Sequence, residues 1–264
     1  IPDSVTSIGY VAFYGCKRLT STDVAEANKF YSSVDGVLFN KDKTELICYP
    51  PSKVDDSYSI PNSVTSIGAS AFFYCSNLTN ITLPKGVTSI GDGAFSGCSS
   101  LTSITIPFGV TSIRNSTFYG CSSLTSIAIP KSVTSIGYGA FYYCKSLKSI
   151  TIPDSVMSIG SCAFSACKTL TSITIPDSVL SIGISAFSSC EELTRITLPN
   201  SVTSIGSEAF RGCTSLKSIT IPDNVASIGD MAFARCTSLT AVEVSQNNKH
   251  YISINGVLLN KNKT

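Results

Sequence analysis

A repeat of 23 residues runs through this chain and constrains its fold more than any other feature of the sequence. Two residue types mark it: proline at positions 61, 84, 107, 130, 153, 176, 199 and 222, and cysteine at 75, 98, 121, 144, 167, 190, 213 and 236. A unit this short cannot bury an apolar face alone, so stacked neighbours must supply the missing wall. The period therefore predicts one continuous solenoid, not the one or two globular domains that 264 residues would otherwise suggest.

The segment Leu101–Cys121 shows how one repeat is expected to meet the core. Period-two alternation places Ile104 and Ile106 inward and Ser103 and Thr105 outward, and the proline that follows should end the strand. A second extended piece, V-T-S-I, is followed in most repeats by a glycine, where we expect a corner with positive φ. Ala-Phe-x-x-Cys then predicts one helical turn with its Phe and Cys facing inward. With its L-x-x-L-x-L core, the repeat predicts a leucine-rich-repeat solenoid: a mostly β, right-handed β/α superhelix of parallel strands and short helical turns.

Two related segments interrupt the period. Residues 28–44 and 248–264 share the pattern N-K-x-Y-x-S-x-x-G-V-L-x-N-K-x-K-T, with tight-turn dipeptides such as Asp35-Gly36 between apolar runs. We expect a β-hairpin insertion at about 25–58 and a second, truncated one that begins at about 246. Residues 1–264 are predicted to form a single solenoid domain, and we expect it to be a segment of a longer array.

The chain has eleven cysteines, and nine of them occupy one repeat position, three residues after a Phe or its equivalent. Stacked equivalents would lie about 4.8 Å apart, whereas a disulfide requires Cβ atoms about 3.8 Å apart. A ladder of free, buried thiols is therefore favoured over disulfides, and the two cysteines off the ladder, Cys48 and Cys162, are expected to react most readily. The chain has no C-x-x-C pair and one histidine, His250, so no metal site and no cofactor are predicted.

The combined pattern I-P-x-S-V-T-S-I-G-x-x-A-F-x-x-C-x-x-L-T-S-I-T, with D-G-V-L-F-N-K-D-K-T interruptions, covers essentially the whole chain. It resembles the BspA-type (Treponema-type) leucine-rich repeat. The resemblance implies a secreted or surface-anchored protein of a host-associated microbe, and an adhesive role toward host extracellular or microbial surface proteins. It implies an extracellular or cell-surface location, but no particular ligand, because such families share a scaffold rather than a site.

The residues themselves give no sign of catalysis, so we expect a binding scaffold and not an enzyme. A net charge of +2 is too weak to predict a nucleic-acid partner, and no apolar run is long enough to insert this segment in a membrane. A carbohydrate-binding or spacer module within a larger surface protein is the alternative, with a glycan as its partner.

Two surfaces could carry a partner. The strands present a flat, neutral face of Ser and Thr, which solubility and β propensity also explain. The turn segments vary more and carry exposed aromatic residues, which are favoured at binding interfaces. We predict a ligand-binding site there, with a core of Tyr119, Tyr142 and Tyr143 and a rim of Tyr74 and Tyr138. Packing between neighbouring turns would explain the same tyrosines equally well.

Overall fold

In the computed structural model, which describes residues 1–261, the chain forms a parallel-strand solenoid of about nine coils. The last three residues of the predicted domain lie outside the described residues. Regular coils carry two short strands, as the alternation and the V-T-S-I pattern predicted, except that Ser103 and Thr105 form isolated bridges in place of the first strand.

The strands fall into two stacked columns and two hairpins. The first column contains β4 (Ser57–Ser59), β6 (Asn80–Thr82), β9 (Ser126–Ala128), β11 (Ser149–Thr151), β13 (Ser172–Thr174), β15 (Arg195–Thr197), β17 (Ser218–Ile221) and β19 (Ala241–Val244). The second contains β5 (Ser66–Ile67), β7 (Ser89–Ile90), β8 (Ser112–Ile113), β10 (Ser135–Ile136), β12 (Ser158–Ile159), β14 (Ser181–Ile182), β16 (Ser204–Ile205) and β18 (Ser227–Ile228). The hairpin regions contain β1 (Tyr31–Val34), β2 (Val37–Asn40), β3 (Glu45–Cys48), β20 (Tyr251–Ile254) and β21 (Val257–Asn260).

Neighbouring coils pair in parallel, in register and one full repeat apart. Ile150 of β11 lies opposite Ile127 of β9, and Ile159 of β12 opposite Ile136 of β10. The sequence separation is 23 residues in each pair, so every column of the repeat becomes a column in space. This register converts a sequence period into a ladder of identical side chains.

The inward side chains form one continuous apolar core, as the alternation predicted. Ile104, Ile106, Val110 and Ile113 are all buried. Phenylalanine rings stack along the axis from Phe72 to Phe233, with centroids 5.3–5.7 Å apart. Because each ring contacts one in the coil above and one below, no coil completes its own core.

The Ala-Phe-x-x-Cys segments bury Phe and Cys as predicted, but the helical turn expected there is wrong. The described residues contain no helix. Alternate amides point in different directions: the N–H of Phe141 donates to Ala163 in the next coil at 2.8 Å, and that of Tyr142 donates to Gly139 within its own turn at 3.0 Å. Residues 139 and 143 have positive φ, 56° and 62°, which a right-handed helix does not allow. The segment is therefore a run of tight turns that also pairs with its neighbour.

The glycine after V-T-S-I is needed for a different reason from the one expected. Positive φ was predicted there, yet it occurs elsewhere in the turn and not at Gly160 or its equivalents. A Cβ on Gly160 would lie 2.7 Å from the carbonyl carbon of Gly137 in the preceding coil. Real Cβ atoms do not approach backbone this closely, so glycine here permits the tight contact between coils.

The cysteine ladder is built from free thiols bonded to backbone. From Cys98 to Cys236, each ladder Sγ donates to the carbonyl of the Phe 26 residues earlier, at 3.0–3.2 Å. Burial raises the pKa of the Cys98 thiol to about 12, so the reactive thiolate is suppressed. Two expectations were wrong: Cys48, off the ladder, is buried with its pKa raised by burial to about 12, and Cys16, on the ladder, is exposed.

Each hairpin insertion is anchored by a buried asparagine that sequence reasoning did not single out. Asn28 donates through Nδ2 to the carbonyls of Pro2 (2.7 Å) and Val5 (3.1 Å), and its Oδ1 accepts from the N–H groups of Phe30 and Tyr31. Asn248 repeats the same four bonds in the second hairpin. The two insertions are thus one structural unit used twice.

The first insertion displaces the first repeat from the regular stack. In that unit the tyrosine ring of Tyr49 stacks on Phe72 at 5.3 Å, in the position that Phe13 would otherwise occupy. The backbone N–H of Ile8 bonds the hydroxyl of Tyr31 at 2.8 Å in place of a neighbouring strand. The first repeat therefore packs against the insertion with its own Phe13 only half-buried.

The core assignment predicts a large loss of stability for substitutions at inward residues and almost none at an outward residue. Phe141→Ala should lower the free energy of unfolding by about 3–5 kcal/mol, because it opens a cavity between two stacked rings. Ile150→Asp should cost more, since it buries a charge. Thr151→Ala, on the exposed face, should change stability by no more than about 0.5 kcal/mol. Denaturant unfolding measures all three, and equal costs at Ile150 and Thr151 would place the inward face one residue away from our assignment.

Thiol titration tests the cysteine ladder. In the native protein we expect one fast-reacting thiol, Cys16, and one slower, half-buried thiol, Cys162. All eleven should react in denaturant without reductant. Cys16→Ser should remove the fast phase and nothing else. A denatured count of one to three would show that disulfides dominate.

Candidate binding site on the aromatic turn edge

The turn segments of consecutive coils stack into one ridge, which we call the turn edge; it comprises residues 10–15, 69–74, 92–97, 115–120, 138–143 and their equivalents in later repeats. The core columns beneath it hold Ala, Phe and Cys in nearly every coil, whereas the outward columns differ from repeat to repeat. All five tyrosines predicted as site residues lie on this edge.

Three of those tyrosines are in mutual contact, and we call Tyr119, Tyr142 and Tyr143 the aromatic cluster. The ring centroids of Tyr119 and Tyr142 are 5.3 Å apart with an edge-to-face angle of 68°, and those of Tyr142 and Tyr143 are 4.5 Å apart. Tyr119 and Tyr143 are 6.3 Å apart. Partial burial, with the neighbouring phenols, raises the pKa of Tyr119 and of Tyr142. The three rings form one continuous aromatic surface, with Lys145 beside Tyr143.

The predicted rim residues lie on either side of the aromatic cluster. Tyr138 is 55% exposed, and its backbone N–H donates to Oδ1 of Asn115 at 2.9 Å. Its ring touches no other ring among the described residues, although its hydroxyl lies beside the Cys162 thiol, whose pKa is raised by burial. Tyr74 lies on the other side of the cluster, and the structure does not bring Tyr74 and Tyr138 into ring contact with it.

Tyr74 and Tyr143 occupy a strained backbone position. Both directly precede the ladder cysteine, and the residue at that position has positive φ in every repeat. The angle is 57° at Tyr74 and 62° at Tyr143, compared with 76° at Gly97 and 68° at Gly120. Glycine enters this region freely, whereas a side chain there costs roughly 1–2 kcal/mol. A lysine ammonium lies over each ring: Lys17 Nζ is 4.3 Å from the ring centroid of Tyr74, and Lys145 Nζ is 5.4 Å from that of Tyr143. The strained conformation does not bury the rings, since both residues remain 38% exposed.

A cleft of about 470 Å³ opens on the turn edge between the first repeat and the next three regular coils. Tyr74 and Tyr119 line it, but Tyr138, Tyr142 and Tyr143 do not. Its other lining residues were not among the predicted site residues: Tyr10, Val11, Tyr14, Ser70, Phe73, Asp92, Gly93, Ser96, Asn115 and Ser116. A signal was present, because Tyr10 and Tyr14 occupy the same repeat columns as Tyr138 and Tyr142.

Among the described residues, many Ser and Thr hydroxyls outside the strands form hydrogen bonds between coils, whereas those on the strand face do not. Thr102 and Thr125, just before the strands, donate to the carbonyls of Thr79 and Thr102 one coil earlier, at 3.2 and 3.4 Å. Ser155 donates to Val133 in the same way at 2.6 Å. Such hydroxyls join coils, whereas the outward column on the strands, such as Thr151, is exposed to solvent. Much of the Ser and Thr content is therefore structural.

Within residues 1–261, no group of three or more His, Cys, Asp or Glu side chains is placed to hold a metal ion. His250 is exposed at the start of the second hairpin, where its backbone N–H bonds Asn248. In the same part of the chain, no helix is long and apolar enough to cross a bilayer.

The repeat matches a known sequence family. The BspA type leucine rich repeat region matches in 6 copies, over residues 1–55, 52–171 and 159–255. No curated protein is significantly similar in sequence.

Several solved structures share the fold. A leucine-rich repeat protein from Eubacterium ventriosum is 34% identical with a TM-score of 0.71, over 80% of this chain and 57% of that protein. A leucine-rich repeat protein from Bacteroides ovatus is 30% identical with a TM-score of 0.60, over 81% of this chain and 69% of that protein. The pneumococcal vaccine antigen PcpA is 27% identical with a TM-score of 0.63, over 93% of this chain and 55% of that protein. The chain thus spans little more than half the length of the first and third.

The strained tyrosines give a prediction about stability. Tyr143→Gly should leave the free energy of unfolding within about 1 kcal/mol of the parent, because relief of the left-handed backbone offsets the lost ring contacts. Tyr142→Gly, one residue earlier and without positive φ, should cost more, because glycine there adds backbone entropy to the unfolded state without relieving strain. Denaturant unfolding of the two variants gives the comparison. An equal or larger loss for Tyr143→Gly would mean that the Tyr143 ring is a structural element of the turn.

Proposed function

The chain belongs to the BspA-type leucine-rich-repeat family, and from that membership we propose that it is a non-catalytic binding scaffold of a secreted or cell-surface protein. Its task in this proposal is adhesion to host extracellular proteins or to microbial surface proteins. The observation that carries the proposal is the aromatic cluster, three tyrosine rings in mutual contact on the variable edge of an otherwise repetitive fold. We further propose that residues 1–264 act as one domain.

Two findings support a surface location. The family match covers most of the chain, and PcpA, with a TM-score of 0.63, is described as a vaccine antigen. Since this chain spans 55% of PcpA, the role of the whole protein is part of the proposal and is not carried over from its relative.

The physical case for the aromatic cluster rests on entropy and desolvation. A tyrosine ring has two side-chain torsions, and contact with two other rings restricts them before any partner arrives. The partner therefore buries a large amphipathic surface at little ordering cost, which is how tyrosine-rich binding hot spots work. At this position four repeats have glycine and three have Ala166, Ser189 or Arg235, so a ring is not required for the turn, and the exposed part of Tyr143 is available to contact a partner.

A carbohydrate-binding or spacer role is the second candidate. The strand face is a flat, uncharged array of Ser and Thr, which suits an inert spacer better than a surface that discriminates among partners. The cleft beside Tyr119 is the feature that favours a glycan. A glycan site in the cleft would share Tyr119 with the aromatic cluster, whereas a spacer role needs no binding site on the turn edge.

A triple variant tests the aromatic cluster. Tyr119→Ser/Tyr142→Ser/Tyr143→Ser uses a residue already native to both columns, at Ser165 and at Ser189. Binding to a panel of immobilised extracellular-matrix proteins should fall by at least about tenfold, because hot-spot rings commonly contribute 2 kcal/mol or more each. The melting temperature should change by only a few degrees.

The matched control removes exposed apolar side chains elsewhere. Met157 and Leu180 are both 58% exposed and occupy a column that is threonine in several repeats. Met157→Thr/Leu180→Thr should bind like the parent protein. If the triple variant folds and binds a confirmed partner unchanged, the aromatic cluster is not the site, and the strand face becomes the better candidate.

A further inference from the structure

The cleft on the turn edge has the size and lining of a ligand site. Its volume of about 470 Å³ lies within the range of small-molecule pockets. One end is walled by Tyr10 and Tyr14 of the displaced first repeat, and the other by Tyr119. Because the hairpin insertion sets the position of the first repeat, the cleft exists where the regular stack is interrupted.

A gap in one repeat column forms the floor of the cleft. Phe73, Ser96 and Tyr119 are equivalent residues in three consecutive coils, so a serine lies between two large rings. Coils one apart are separated by about 4.8 Å, and the rings flanking Ser96 belong to coils about 10 Å apart. Tyr14 and Tyr74 cover the ring of Phe73, with centroids 4.0 and 4.6 Å away, so Tyr119 is the flanking ring left to contact a ligand at this gap. Gly93, beside Ser96 on the floor, adds no side chain to obstruct the gap.

Polar groups converge at one end of the same cleft. The carboxylate of Asp92 uses Oδ1 to accept the N–H of Asn115 at 3.2 Å, and its Oδ2 has only a long contact of 3.4 Å with the Tyr10 hydroxyl. Asn115 uses Oδ1 for the N–H of Tyr138, which leaves its Nδ2 as a donor. An acceptor and a donor therefore stand side by side, with the hydroxyls of Tyr14, Tyr74 and Tyr119 at the rim.

The charges around the cleft favour a neutral ligand. Asp92 repels anions such as acidic sugars or phosphates. Cations are opposed from the other side, because Lys17 already covers the face of Tyr74 and Arg114 lies close enough to Tyr10 to influence its ionisation. A neutral ring with polarised C–H bonds on its face and hydroxyls at its edge meets both requirements, since aromatic faces carry negative potential.

We propose that this cleft binds one neutral pyranose residue of a glycan, with its C–H face on the ring of Tyr119 and adjacent hydroxyls on Asp92 and Asn115. The inference rests on the proposed binding role and adds a site to it. Protein adhesion through the aromatic cluster and sugar binding in the cleft share one residue, Tyr119, so the test leaves Tyr119 unchanged.

The experiment is saturation-transfer NMR with the methyl glycosides of glucose, galactose, mannose and N-acetylglucosamine. At least one should receive saturation, strongest on ring C–H protons, with a Kd in the millimolar range expected for a single residue. Ser96→Tyr places on the cleft floor a ring that is native to the next coil, and it should weaken binding at least about tenfold. Its matched control, Ser165→Tyr at the same repeat position three coils away, should leave binding unchanged.

A second pair of variants tests the polar end. Asp92→Ala should weaken the sugar about tenfold, whereas Asp230→Ala, at the equivalent repeat position outside the cleft, should not. Absence of saturation transfer to all four glycosides would overturn the proposal. The proposal would also be wrong if no sugar binds while arginine amide or a matrix protein binds the parent and loses binding in Ser96→Tyr. Adhesion to protein can be measured in the same variants, so failure of the cleft and failure of the proposed adhesive function give different results.

Discussion

Hydrogen bonding between consecutive coils in strict register is the constraint on which the rest of the structure depends. Each coil pairs with the next through both strand columns and through its turns, always one repeat apart. The pairing requires glycine where the backbones approach most closely, and it stacks each core ring from Phe95 to Phe210 between the Phe rings of the two adjacent coils. It also brings each ladder thiol to a backbone carbonyl of the previous coil. The composition of the repeat follows from this register.

The same register decides where function can reside. Core columns cannot change in one coil without disturbing its neighbours, so specificity must come from outward positions. On the strands those positions are nearly uniform, whereas on the turn edge they alternate between large rings and small residues, as at Phe73, Ser96 and Tyr119. A partner can recognise this irregular surface. The hairpin insertion makes the surface more irregular, because it displaces the first repeat.

The sequence predicted the repeating part of the structure well, because alternation and period specify it directly. The inward Ile, Val, Phe and Cys columns and the parallel strands needed no information beyond one repeat. The helical turn was wrong because two positive-φ residues per turn, such as Gly139 and Tyr143, are not encoded by a consistent residue type. The cleft was missed because contact between Tyr10 and Asp92, 82 residues apart, depends on how an insertion reorients a whole coil.

Hydroxyl-radical footprinting of the protein bound to an extracellular matrix tests the central claim, that the turn edge is the recognition surface. Tyrosine, methionine and leucine all react readily, and exposed examples lie on and off the edge. The account predicts protection of Tyr74, Tyr138 and Tyr143 on binding, with Met157 and Leu180 modified as in the free protein. Protection of Met157 and Leu180 with unchanged labelling of the tyrosines would contradict it.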